Sequence, residues 1–166
     1  MSLSRCSANR KRKRKMKDDI IRLDLSEFDK CGNIWDMHKQ GELAAQFLRE
    51  MREGIRTTYI YRIDGDYIGE ISIVTDADDP QYTIPDRRLY VSRLIVKDEY
   101  RRQGIGKKLV DFIIRKAQQE GYRELSVGVD LDNDPALRLY VQMGFDRIVH
   151  VGEDEYGRFL KLIKEL

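Results

Sequence analysis

The sequence is poor in the residues that usually announce a metal or disulfide chemistry. It has two cysteines, Cys6 and Cys31, and two histidines, His38 and His150, with no Cys-x-x-Cys pair and no histidine cluster. That spacing argues against a zinc site and a disulfide framework, and the reading is a reduced, cytoplasmic chain without metal. No apolar run approaches the ~20 residues of a membrane span, and the start lacks the apolar core of a signal peptide. With 166 residues, 41% hydrophobic and 36% charged, the chain is expected to form one soluble domain with a real core.

Charge is present but unevenly placed. The net charge is +2, yet residues 1–17 hold eight Lys/Arg and no Asp or Glu, which leaves 23 basic against 29 acidic residues, near −6, for the rest. The run "RKRKRKMK" reads as a solvated, disordered tail, since like charges this dense bury nothing. An alternative is a nucleic-acid-binding or address segment. Met16 follows the run, so a native start there, with non-native residues ahead of it, is a further reading. The acidic remainder makes nucleic acid an unfavoured partner.

From Asp18 to Leu166 the pattern is regular. "IIRLDL" alternates as a short strand, with Ile21, Leu23 and Leu25 on one face. Ser26 with Asp29 resembles a capping box and opens a helix through Trp35, which Gly41 breaks; "ELAAQFLREM" is a second helix closed by Gly54. Asp64-Gly65 between "TTYIYRI" and "DYIGEISIV" is a hairpin signal, because both turn positions need positive φ. The stretch "TDADDPQYTIPDRR" is a loop with Asp76, Asp78, Asp79 and Asp86. "RLYVSRLIV" is a fourth strand. Ile105, Leu109, Phe112, Ile113 and Ala117 form one apolar helix face before Gly121. "ELSVGVD" is a fifth strand, Asn133 caps a helix that ends at Gly144, and "FDRIVHV" and "GRFLKLIKEL" close the chain as paired strands. The order β-α-α-β-β-β-α-β-α-β-β gives an α/β (α+β) fold with a mixed sheet.

Between the fourth strand and its helix lies Arg101-Arg102-Gln103-Gly104-Ile105-Gly106. A dinucleotide fingerprint would need glycine where Leu109 stands, and a Walker loop fails at Arg101 and Lys108. The physics survives both failures. Glycines let amides approach a ligand closely, the helix start adds a positive end, and Arg101, Arg102, Lys107 and Lys108 add side-chain charge. The junction favours a pyrophosphate.

"RLIVKDEYRRQGIGKKL" resembles the acyl-CoA-binding motif of the GNAT superfamily of N-acetyltransferases, (Arg/Gln)-x-x-Gly-x-(Gly/Ala), with Arg101, Gly104 and Gly106 in its fixed positions. "NDPALRLYVQMGF" is similar to a second signature of that family, and the element order matches its fold, so the resemblance covers Asp18 to Leu166. It implies a GNAT-type, largely antiparallel sheet whose fourth and fifth strands splay apart, and acetyl-CoA as cosubstrate. Leu94, Ile95 and Val96 would offer backbone groups to the pantetheine arm. Arg101 belongs to the binding motif, and Arg102, Gln103, Gly104, Ile105, Gly106 and Lys107 would wrap the pyrophosphate. Asn133 would contact the pantetheine or adenosine, and Tyr140 would sit near the sulfur.

The implied chemistry is attack of a neutral amine on a thioester, which needs a donor for the developing oxyanion and a proton for the departing thiolate. A strand-end amide near Ile95 suits the first and Tyr140 the second; the plain alternative for Tyr140 is packing near Phe145. Many family members carry a glutamate base on the fourth strand, where this sequence has Tyr90. Glu70 is the replacement candidate, with burial expected to raise its pKa. On alternation alone Ile68, Glu70 and Ser72 share a face that could equally be solvent, with Gly69, Ile71 and Ile73 on the other; a water chain could also serve as base. The four loop aspartates and the acidic body favour a cationic acceptor, a small-molecule or peptide amine, or else simply form a soluble loop. Trp35, Met37 and His38 either line the acceptor cleft or pack. A non-catalytic acyl-CoA sensor is the competing reading, and both monomer and homodimer stay open.

Overall fold

The computed structural model describes residues 14–166. The expected basic tail spans residues 1–17, and its first thirteen lie outside the described residues. Among the described residues seven strands form one sheet: β1 (Asp18–Arg22), β2 (Arg56–Ile63), β3 (Asp66–Val74), β4 (Arg88–Val96), β5 (Glu124–Asp130), β6 (Arg147–Asp154) and β7 (Gly157–Glu165). Their spatial order is β1-β2-β3-β4-β5-β7-β6, and only the β4–β5 pair is parallel. β7 is therefore interior and β6 is an edge. The α-helices are α1 (Gly41–Arg52), α2 (Ile105–Gln119) and α3 (Asp134–Gln142).

Local chemistry explains most boundaries. Asp64 and Gly65 turn β2 into β3 with φ of 49° and 88°, the double positive φ that Asp-Gly supplies. Asn133 caps α3 through a hydrogen bond its side chain accepts from the Ala136 amide, and Gly144 ends that segment with φ 91°. The first helical segment differs from expectation. It is a 3₁₀ helix over Leu25–Asn33, and its cap is Asp24, whose carboxylate accepts from both the Ser26 amide and the Ser26 hydroxyl. With Ser26 engaged by Asp24, the Ser26–Asp29 box does not form. Gly41 is the first residue of α1 and breaks nothing.

The sheet buries both faces. On one, α2 and α3 cover Ile68, Ile71, Leu89, Val91, Leu125 and Val127; on the other, the 3₁₀ segment and α1 bring Cys31, Trp35 and Phe47 onto Ile60 and Tyr67. A β-bulge at Ile68, which has no partner between Gly69↔Tyr61 and Tyr67↔Arg62, shifts the alternation. Ile68 therefore joins the α2 side, whereas Glu70 stays on the other, so the two do not share a face.

Candidate active site

Parallel pairing of β4 with β5 runs only from Arg88↔Glu124 to Val91↔Val127. Beyond it β4 stays with β3 and β5 stays with β7, so the two strands part. The parting point coincides with a second bulge, because Ser92 falls unpaired between Val91↔Ile73 and Arg93↔Ser72. The resulting cleft measures about 250 Å³ and is walled by Ser92, Arg93 and Leu94 on one side, Gly128 on the other, and Asn133 and Tyr140 at the α3 end. Expected site residues Leu94, Asn133 and Tyr140 thus meet in one place. Ile95 and Val96 continue the β4 wall, paired to Glu70 and Gly69.

The glycine junction opens beside this cleft. Arg102 and Gly104 both have positive φ, 62° and 78°. The amides of Gln103, Gly104, Ile105, Gly106 and Lys107 find no acceptor among the described residues, and the first helical bond is Lys108 N–H to the Gly104 carbonyl at 3.1 Å. Gly106 sits where a Cβ would lie 3.4 Å from Leu139 and 3.8 Å from Leu94, so a side chain there would fill the seam between α2, α3 and β4. A row of free amides at a helix N-terminus, next to a groove kept clear by glycine, fits a pyrophosphate with a thin arm leading from it. The four basic side chains divide their labour. Arg101 turns back onto the Val96 carbonyl at 3.1 Å and Asp98 at 3.0 Å, holding the loop. Lys108 bonds Asp18 at 3.1 Å and Tyr61 at 3.3 Å. Arg102 and Lys107 are exposed.

Tyr140 is buried, its ring edge-to-face with Phe145 at 5.4 Å, while its hydroxyl has no hydrogen-bond partner among the described residues. Packing and a place in the cleft are therefore both true of it. Burial pushes its pKa up, which keeps the phenol protonated. Glu70 is 3% exposed, so the solvent-face alternative is overturned: the 3₁₀ segment and α1 cover that face. Its Oε1 accepts from Arg93 Nε at 2.9 Å and its Oε2 from Trp35 Nε1 at 3.2 Å, and the Arg93 guanidinium lies 4.4 Å from the Trp35 ring centre. Trp35 thus packs and serves Glu70; with Met37 and exposed His38 it borders a separate surface hollow.

Four features escaped the sequence reading. Tyr90 stacks on Tyr82 at 4.2 Å, and burial raises the pKa of both. The Tyr82 hydroxyl lies 2.5 Å from where a Cβ on Gly128 would be, so a bare strand there is a steric requirement. Glycine inside "ELSVGVD" was the available signal. Lys161 bonds Asp79 at 2.7 Å and lies 4.6 Å from the Tyr82 ring centre, and this hydrogen bond lowers the Asp79 pKa. One of the four loop aspartates is therefore committed internally. Finally, buried Arg56 reaches the bulge, donating from Nη2 to Ser92 Oγ at 2.7 Å.

The comparisons agree with this geometry. The family model for the acetyltransferase (GNAT) family matches residues 18–145. N-alpha-acetyltransferase 30 of Saccharomyces cerevisiae is 43% identical over 61 residues, 37% of this chain and 35% of that protein. Human N-acetyltransferase 8 is 39% identical over 70 residues, 42% of this chain and 30% of that protein. The matched part thus spans about a third of these curated relatives. Among solved structures, a GNAT family acetyltransferase from Elizabethkingia anophelis with acetyl-CoA bound superposes with a TM-score of 0.69 at 20% identity, covering 90% of this chain and 98% of that one. A chain of the NatC complex bound to Gag peptide and CoA superposes with a TM-score of 0.64 at 26% identity, covering 91% and 99%. With its splayed strands, its open glycine junction and a family match across most of its length, the chain belongs to the GNAT family of acetyltransferases.

Proposed function

We propose that the protein transfers an acetyl group from acetyl-CoA to a primary amine by direct attack on the thioester. The observation that carries this reading is the opening of the β4–β5 cleft beside the amides of Gln103 to Lys107, which have no acceptor among the described residues. The bound thioester supplies an activated acyl carbon and a thiolate leaving group. The chain's residues do the rest. Backbone amides of the junction, with exposed Arg102 and Lys107, hold the pyrophosphate. Leu94, Ile95 and Val96 line the arm, and Asn133, whose Oδ1 is spent on the α3 cap, still offers its amide donors.

Tyr140 is assigned the acid role. Its raised pKa preserves the donor form, and it acts first as a hydrogen-bond donor to charge growing on sulfur. Glu70 is assigned the base. Because both its oxygens already accept, from Arg93 and Trp35, the proton must reach it by displacing one of those bonds or through a water.

The α2 face carries the pyrophosphate loop, so the amine approaches from the opposite face, past the acidic Asp76–Asp86 loop. Exposed Asp76 and Asp78 favour a cationic acceptor there. Thiol release from acetyl-CoA against a panel of a polyamine, an aminoglycoside, a lysine-containing peptide and a basic-N-terminus peptide tests the reading. Turnover with at least one amine supports it. CoA binding without turnover would favour the sensor reading, whose support is Tyr90 in place of the strand glutamate.

A further inference from the structure

The bulge at Ser92 carries a donor that the reaction as assigned above does not use. Arg56, at the start of β2, is 4% exposed. Its Nε donates to Glu50 Oε2 at 2.7 Å, its Nη2 donates to Ser92 Oγ at 2.7 Å, and its plane lies 3.9 Å from the Phe47 ring centre. Its Nη1 is buried with no partner among the described residues. A guanidinium can only donate, so Ser92 Oγ is the acceptor in that bond. A hydroxyl has one proton and two lone pairs, and the proton of Ser92 is left over; no acceptor for it is found among the described residues. Ser92 is also the residue where β4 leaves β5, and it lines the cleft with Tyr140.

A buried cation behind a hydroxyl strengthens that hydroxyl as a donor, because the charge-assisted bond draws electron density from oxygen in a low-dielectric setting. An orphan N–H in a buried guanidinium is costly, and a native structure keeps few of them, so each calls for a physical reason. We infer that the Ser92 hydroxyl, polarised by Arg56, donates to the thioester carbonyl oxygen and stabilises the negative charge that grows there during transfer, beside the strand-end amide. Ser92 is then a catalytic residue and Arg56 a positioning residue.

The electrons balance without any further reagent. The amine nitrogen pair forms the new C–N bond while the C=O π pair moves onto oxygen, where Ser92 O–H meets it. That pair then re-forms C=O, the C–S bond breaks with its pair on sulfur, and the proton lost from nitrogen matches the one sulfur gains. Ser92 keeps its own proton throughout.

The inference rests on the acetyl-transfer reading, and the test separates the two. Acetyl-CoA carrying ¹³C at the thioester carbonyl is bound to the wild-type protein, Ser92→Ala, Ser92→Thr and Arg56→Lys, and isotope-edited infrared spectra are taken alongside thermal melting. The wild-type carbonyl stretch should lie below that of Ser92→Ala, Ser92→Thr should match the wild type, and Arg56→Lys should fall between. All four should show the same melting shift with acetyl-CoA. If Ser92→Ala binds acetyl-CoA with an unmoved carbonyl band, the inference is overturned and the acetyl-transfer reading stands. If the wild-type protein does not bind acetyl-CoA at all, both fall.

Discussion

Arg93 Nε lies 2.9 Å from Glu70 Oε1 in an ion pair whose side chains are 16% and 3% exposed, one residue past the bulge that opens the cleft. The pair is thus a structural fixture as well as a neighbour of the chemistry. Glu70→Gln should leave the Arg93 charge poorly met and cost about 3 kcal/mol. Replacing both partners with apolar residues, Glu70→Leu with Arg93→Met, should restore part of that in a denaturant melt, the rest staying lost because Trp35 Nε1 no longer has its acceptor. If Glu70 is the base, Glu70→Gln also lowers kcat; a stability loss with kcat unchanged would leave it a structural carboxylate only.

Tyr140→Phe separates chemistry from packing. Among the described residues the hydroxyl has no partner to orphan, and the ring contact with Phe145 survives the change. Stability should move by less than about 1 kcal/mol, while kcat falls about a hundredfold through loss of the thiolate's donor. A variant with full turnover would remove Tyr140 from the mechanism.

Gly128→Ala drives a methyl into the Tyr82 hydroxyl, which stands 2.5 Å from that position. We expect a loss of about 1–3 kcal/mol as Tyr82 is pushed off Tyr90. Tyr82→Phe removes the offending atom and leaves ring carbon at 3.4 Å, so the double variant should be more stable than Gly128→Ala alone. Equal melting temperatures for the two would show that the close approach is not what glycine serves.

Alkaline stability follows from the tyrosines. Tyr67 is pushed up to about 12 by burial and by its bond to Glu27, and burial raises Tyr82, Tyr90 and Tyr140 as well. A group whose folded pKa is raised favours the folded state fully below its unfolded pKa, about 10 for tyrosine. Stability should therefore hold flat up to about pH 10 and decline above it, with the phenolate absorbance of these four side chains appearing only as the fold opens. Absorbance at about pH 10 in the intact protein that Tyr67→Phe, Tyr82→Phe, Tyr90→Phe or Tyr140→Phe removes would contradict this.

Glu124 anchors the opposite end of the β4–β5 pair, with Arg88 at 2.8 Å, Arg147 at 2.9 Å and Arg87 at 3.6 Å. Burial opposes its ionisation, but the hydrogen bonds from Arg147 and Arg88 outweigh it and lower its pKa. The lowered value means its contribution is present above the unfolded pKa of about 4.3 and is lost as pH falls through the folded one. Glu124→Gln should flatten part of the acid limb of the stability curve; an unchanged limb would mean the cluster contributes little.

Much of the fold was legible because local signals and tertiary need agree. Asp64-Gly65, Asn133 and Gly144 each fix backbone geometry that nearest neighbours demand, and the run Arg88–Val96 matches β4 from end to end. Glu70 was harder to read. Period-two alternation gives a face but cannot say whether helices cover it, and the bulge at Ile68 moves that residue to the other side. Ser92 was silent for a related reason: a bulge is a mismatch between two strands, invisible in one of them. Arg56 in "GIRTTYIYRI" resembles any surface arginine until Glu50, Phe47 and Ser92 close around it.

The most direct test of the central claim is thermal melting of the protein with acetyl-CoA, desulfo-CoA, NAD and ATP, each alone. A ligand at 100 times its dissociation constant adds about 2.7 kcal/mol to the folded state. The account predicts a clear upward shift with the two CoA compounds and little with the others, and loss of that shift when Gly106→Val fills the seam between Leu94 and Leu139. No shift with acetyl-CoA, or an equal shift with every phosphate ligand, would contradict it and leave the junction a generic anion site.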